Sequence, residues 1–191
     1  MTLPLSCRCG QVRGEVGTDR TYVRATCYCK DCRAYAQWLG GPGLLDDAGG
    51  VDVVAMAPSR VRFTAGEEQV ACMSLSGRGI YRWYAACCRT PLGNTPRDPR
   101  VHYVGLSTAC LEGAGAAVDA AFGPPRRCLI ATESATAPVR KRRVAMVAGV
   151  VRVVAGVLGA RLRRRRESPF FDAATGKPIR VPEIVVCGSR A

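Results

Sequence analysis

The stretch CYCKDCR, Cys27 to Arg33, places three cysteines in six positions, and the fold turns on whether they form a redox pair, a disulfide knot or a metal nest. Cysteines two apart on an extended segment point to the same side. A Cys-x-x-Cys turn then brings two sulfurs to the separation a tetrahedral ion requires, with Zn–S near ~2.3 Å. One short loop can thus supply three thiolates, those of Cys27, Cys29 and Cys32, to a single zinc. A structural zinc is closed by four protein ligands, whereas a catalytic one keeps a position for water or substrate. His102 is the single histidine of the chain, so no nearby imidazole offers itself as the fourth ligand. A redox pair of Cys29 and Cys32 is the rival, but the strand-helix-strand setting it needs is missing from the surrounding sequence.

The chain carries eleven cysteines. Its opening, MTLPLSCRCG, lacks the basic start and long apolar run of a secretory signal, so a reducing, cytoplasmic address is expected, where clustered thiols bind metal or react rather than pair. Cys7 and Cys9 need partners from elsewhere. The segment YAACCRTPLGN offers Cys87 and Cys88 as the closing half of a four-thiolate site that pins the amino-terminal hairpin to the middle of the chain. Cys72, Cys110, Cys128 and Cys187 stand alone in apolar surroundings and read as small buried hydrophobes.

At 191 residues the chain exceeds the usual single domain and falls short of two, which predicts one core plus an appendage. The net charge of +13 is unevenly placed. Residues 1–135 carry fifteen Lys/Arg against twelve Asp/Glu, net +3, and residues 136–191 carry thirteen against three, net +10. Thiolate-bound zinc adds negative charge, so the front region is near neutral and is no obvious nucleic-acid surface; any charge-based function lies in the last third.

The front region predicts a mainly β fold with antiparallel strands. QVRGEV alternates Val12, Gly14 and Val16 against polar neighbours, and TYVRATCYC, RVRF, QVACMSLS, IYRWYAA and VHYVGL are short, rich in β-branched and aromatic residues, and bounded by turn formers. CRAYAQWL reads as one or two helical turns, GGPGLLDDAGG as a loop, and STACLEGAGAAVDAAFGPP as helix or strand. From Ala137 the composition changes. RKRR at 140–143 leads into a seventeen-residue apolar run interrupted by Arg152, followed by RLRRRR at 161–166. That run is marginal for a membrane span, which needs about 20 apolar residues and tolerates a central charge poorly. As a helix over 143–165 it sorts into one face of Gly149, Arg152, Gly156 and Gly159 and another of Val147, Val150, Val151, Val154, Val157 and Leu158. The prolines of SPFFDAATGKPIRVPEIVV argue for an extended tail packed on something.

With CRCGQVRGEV, CYCKDCR and RWYAACCRTPLGN in that order, residues 3–135 resemble the glutathione-dependent formaldehyde-activating enzyme family, which includes centromere protein V. The resemblance is closer to an uncharacterised bacterial branch of that superfamily. It implies a zinc-binding β-tent domain over 1–135, with a basic carboxy-terminal extension over 136–191. It further implies a structural zinc on a Cys-x-Cys and a later Cys-x-x-Cys, matched by Cys7, Cys9 and Cys88, and a thiol-binding zinc on Cys27, Cys29 and Cys32. One departure stands out. Where the family has Cys-x-x-Cys before TPL, this chain reads Ala85, Ala86, Cys87, Cys88, leaving Cys87 to substitute from the neighbouring position. Adjacent cysteines point in opposed directions on a strand, so a strained, rearranged or absent structural zinc is expected.

The implied chemistry is a zinc-dependent carbon–sulfur lyase reaction, in which a glutathione-like thiol forms or releases an adduct with formaldehyde or a similar aldehyde. Cys27, Cys29 and Cys32 are its catalytic candidates. Two roles are open to Arg33: holding a carboxylate of the thiol, or hydrogen-bonding backbone around the metal loop. Tyr28 and Lys30 are expected to face solvent, Trp83 and Tyr84 to pack in the core, and His102 to be a satisfied strand histidine. The alternative is a non-catalytic, zinc-stabilised module held on an anionic membrane or another partner by residues 140–166, with nucleic acid a less favoured partner because it has no use for the valine face.

Overall fold

The computed structural model describes residues 1–40, 43–113, 115–140 and 142–185. Its strands are Thr2–Ser6 (β1), Arg13–Gly17 (β2), Thr21–Cys27 (β3), Val51–Met56 (β4), Val61–Ala65 (β5), Val70–Ser74 (β6), Tyr81–Ala85 (β7), Thr90–Thr95 (β8), Val104–Ser107 (β9), Cys128–Ile130 (β10) and Glu183–Ile184 (β11). The α-helices are Lys30–Trp38 (α1), Ala116–Phe122 (α2) and Arg143–Leu162 (α3). The fold is mainly β. One sheet has the order β1-β2-β5 and the other the order β10-β3-β4-β9-β8-β7-β6-β11.

The small sheet follows the period-2 pattern of its strands. Leu3 and Leu5 of β1 lie opposite Val16 and Gly14 of β2, and all four are buried. Leu3, Leu5 and Val16 join one core with Val54 and Met56 of β4, Trp83 of β7, Leu92 of β8 and Leu106 of β9. The large sheet departs from the antiparallel expectation at both edges, where β10 runs parallel to β3 and β11 parallel to β6. Both edge strands are short and arrive by long connections from the carboxy-terminal half, so they dock onto finished edges instead of folding back as hairpins.

Trp83 organises the middle of the core. It is fully buried, donates from Nε1 to Thr95 Oγ1 at 3.0 Å, and lies 5.1 Å from the ring of Phe170 and 6.3 Å from that of Phe171. The expected packing role of Trp83 is thus present, and one of its main partners comes from the tail. Residues 170–179 turn back on themselves through Asp172 N–H to Lys177 O at 2.8 Å and Ile179 N–H to Phe170 O at 3.1 Å, which sets both phenylalanines into the core.

The helix α3 ends at Leu162, earlier than the expected 165, and packs on β3 and β10. Its glycine face points inward. A β-carbon at Gly149 would stand 2.9 Å from Cys128 Sγ, and one at Gly156 would overlap the ring of Tyr22. Here the absence of a side chain permits close approach of helix to sheet. Under α2, the buried guanidinium of Arg24 pairs with Asp52 at 2.7 Å and Asp119 at 2.6 Å and donates to Gly123 O, tying helix to sheet.

Two local expectations are corrected. Tyr28 is fully buried, not solvent-facing, because its ring takes the side of the strand end opposite to the cysteines and its hydroxyl donates to Asp46 Oδ2 at 2.9 Å. His102 lies just before β9, not in a strand; its Nε2 meets Glu167 O at 3.1 Å while Nδ1 has no hydrogen-bond partner, so it is half satisfied. Lys30 is exposed as expected. Cys72, Cys110 and Cys128 are buried, and Cys187 lies outside the described residues.

Phe170→Ala tests the place of the tail in the core. Removing this fully buried ring should lower stability to denaturant by about 3–5 kcal/mol, the range for deleting a buried phenylalanine. A change within about 0.5 kcal/mol, the size of an ordinary surface effect, would mean the tail is no part of the core.

Candidate metal centres and an adjoining cavity

Among the described residues, two groups of cysteines gather their sulfurs closely enough to hold a metal ion: Cys7, Cys9, Cys87 and Cys88 in one, and Cys27, Cys29 and Cys32 in the other, each with all sulfurs within 4.8 Å of one another. None of the ten described cysteines is in a disulfide.

The three-cysteine group sits where β3 hands over to α1. Cys27 ends the strand, Cys29 caps the helix in extended conformation, and Cys32 lies in the first turn. The alternation of the extended segment turns Cys27 and Cys29 to one side and Tyr28 to the other. The Cys29 Sγ accepts from Cys32 N–H at 3.3 Å, so the exposed amides of the helix start favour a thiolate there. Hydrogen bonds accepted from the Cys27 and Cys32 thiols hold Cys29 far below its usual pKa, and donation to Cys29 and Cys32 holds Cys27 far above it. The trio gives up one proton readily and keeps the others unless a cation is added.

The four-cysteine group joins two hairpins from the two sheets. Cys7 lies in the β1–β2 turn, where it accepts Gly10 N–H at its carbonyl and Val12 N–H at its sulfur. Cys87 and Cys88 lie in the β7–β8 turn. That turn is closed by Arg89, at φ 57, whose N–H donates to Ala85 O at 2.7 Å. Their place in a turn corrects the concern that neighbouring cysteines diverge, since the opposed directions hold for a strand and not for this turn. The sulfurs lie 3.5 Å apart for Cys7 and Cys9, 3.8 Å for Cys7 and Cys87, 3.3 Å for Cys9 and Cys87, and 3.9 Å for Cys87 and Cys88. A tetrahedron with metal–sulfur bonds of ~2.3 Å sets sulfurs ~3.8 Å apart, so the four fit a closed thiolate site. Burial raises the Cys88 thiol, but hydrogen bonds from Thr90 and backbone amides outweigh this and bring it down to about 6. Arg8 clasps the same turn, donating from its backbone to Thr90 Oγ1 and from its side chain to Cys88 O.

Beside the three-cysteine group lies a cavity of ≈450 Å³, whose wall includes Cys32 and Tyr35 of α1, Arg24 and Thr26 of β3, Asp52 of β4 and Arg82 of β7. Arg82 is the residue that sequence reasoning missed. Its Nη1 lies 3.8 Å from Cys32 Sγ, its guanidinium stands over the Tyr35 ring at 5.2 Å, and it is 3% exposed. Among the described residues no carboxylate pairs with it, whereas Arg24 and Arg126 of the same wall are paired with Asp52 and Asp46. Only strand register could have pointed to it, because Arg82 is fifty positions from Cys32 in the chain. Arg33, by contrast, donates to Ser134 O at 2.8 Å, the second of the two roles open to it. The Tyr103 phenol, pushed up to about 12 by burial and by Cys27 and Cys32, stays protonated near the trio.

Metal analysis of protein purified under reducing conditions should give two ions per chain. Cys7→Ser should remove one and leave the other, and Cys29→Ser should do the converse. Affinity at both sites should fall as pH falls, because each ligand must lose its proton before it binds. One ion per chain in the wild type would show that only one group is a metal site.

Comparison with solved structures finds a Rhodobacter sphaeroides protein from structural genomics, 21% identical, with a TM-score of 0.42, covering 60% of this chain and 93% of that one. No curated protein matches. The match that spans the molecule is to a family model over residues 1–183. The chain therefore belongs to the family of unknown function DUF6151.

Proposed function

We propose that both cysteine groups take zinc, and that the three-cysteine group with its cavity joins a small, carboxylate-bearing thiol of the glutathione type to formaldehyde or a similar aldehyde, or reverses that step. The observation that carries this reading is an unpaired, buried Arg82 beside Cys32 in the wall of a ≈450 Å³ cavity. Cys27, Cys29 and Cys32 would hold the zinc, which would supply the Lewis acidity that lets a thiol lose its proton at neutral pH. In the addition a sulfur electron pair forms the S–C bond, the C=O π pair moves to oxygen, and the proton lost by the thiol ends on that oxygen. The product is an S-hydroxymethyl thiol, and the reverse reaction breaks the same bond.

The residues of this chain bind and orient the thiol. The guanidinium of Arg82, standing over the Tyr35 ring and free of any carboxylate among the described residues, receives the anionic end. A cavity of this size suits a tripeptide-sized or smaller ligand. The four-cysteine group has no position left for a ligand, so its role is structural: it fixes the β7–β8 hairpin and hence the strand that carries Arg82.

With a thiol and formaldehyde as substrates, Cys29→Ser should abolish turnover while circular dichroism stays unchanged. Arg82→Met should raise KM roughly tenfold for a carboxylate-bearing thiol, the scale of a lost hydrogen bond to a charged group, and leave KM for 2-mercaptoethanol unchanged. Zinc-loaded protein that turns over no thiol with any aldehyde would refute the reading, and an equal KM change for both thiols would refute the role of Arg82.

A further inference from the structure

Among the described residues, none covers the valine face that the packing of α3 leaves outward. Val147 is 56% exposed, Val151 59%, Val154 50% and Leu158 53%, and Val144 and Leu162 extend the same stripe at both ends. Their spacing of three and four residues places them on one side of the helix, opposite Gly149 and Gly156. At 1.5 Å per residue the stripe runs roughly 27 Å, which is long for an apolar patch on a soluble surface. Arg152, the charge inside the apolar run, lies on the inward shoulder of the helix, where it lines a cleft with Tyr22 and Phe122. The stripe is therefore uninterrupted.

Charge decides what covers it. Arg140, Arg142 and Arg143 precede the stripe, Arg163 to Arg166 follow it with Arg161 beside its last residue, and the helix contains no acidic residue. A second copy packed stripe to stripe would bring arginines against arginines, at matching ends if parallel and at opposite ends if antiparallel. A nucleic acid would satisfy the arginines and leave the valines in water. An anionic lipid surface satisfies both, with headgroups at each end and acyl chains under the stripe. A crossing orientation is ruled out by the chain path, since β10 just before the helix and Phe170 just after it belong to the same folded body.

We infer that α3 is an in-plane docking surface for an anionic membrane leaflet, with the valine stripe at the headgroup–acyl boundary and the two arginine groups on acidic headgroups. This inference is independent of the metal sites. Flotation of the full-length protein with vesicles of phosphatidylcholine alone, and of phosphatidylcholine mixed with phosphatidylglycerol, tests it. The wild type should float with the mixed vesicles and stay behind with the neutral ones. The exposed triple substitution Val147→Ser, Val151→Ser, Val154→Ser should lower binding to mixed vesicles by roughly tenfold or more, with metal content and circular dichroism unchanged. Arg163→Glu with Arg164→Glu should lower it comparably. Failure to float with either vesicle would overturn the inference, as would equal binding by wild type and triple variant. A wild-type dimer in sedimentation that the triple substitution converts to monomer, without vesicle binding, would assign the stripe to a second copy.

Discussion

Thiols gathered within a few ångströms cannot all shed their protons unless positive charge is brought among them, because each new thiolate raises the cost of the next. This constraint governs both cysteine groups. In the β1–β2 and β7–β8 turns it applies to four sulfurs that draw two sheets together, and at the head of α1 it applies to three. The surroundings answer it in graded fashion. Backbone amides and Thr90 favour charge on Cys88, the helix start favours it on Cys29, and Arg82 stands beside Cys32. The remaining deficit of positive charge is one that a bound ion would meet.

The core explains why these sulfurs are held where they are. Trp83 lies on the same strand as Arg82 and one turn before Cys87 and Cys88, so packing around its indole fixes the register of a cavity wall and the entry to a thiolate turn together. The hydroxyl of Tyr35, on α1, donates to Trp83 O at 3.0 Å, which links the helix carrying Cys32 to the strand carrying Arg82. The two centres are thus mechanically joined through one buried aromatic residue and its hydrogen bonds.

Much of this was legible in the residue order. Cysteine spacing marked both clusters, alternation marked β2, and β-branched and aromatic content between turn formers marked β3 and β6, because these signals are local. What escaped was set by distant partners. VDVVAM of β4 is nearly continuous in apolar residues, since the strand is central and covered on both faces, and it shows no alternation to read. Strands β10 and β11 are too short to carry a pattern and exist because an edge awaits them. The turn that aims Cys87 and Cys88 together depends on a left-handed arginine, Arg89, which nothing in its type announces. The helix α3 sorted correctly into two faces, but the sequence held no clue that the glycine face is the one turned inward.

The burial of Phe170 and Phe171 against Trp83 has a consequence for how the protein is born. Synthesis proceeds from the amino terminus, so the indole waits without its two aromatic neighbours until residues 170 and 171 have been made. By then the arginine-flanked valine helix, which ends at Leu162, has already been made. The aromatic interior is therefore closed last, by a segment made after the helix that precedes it.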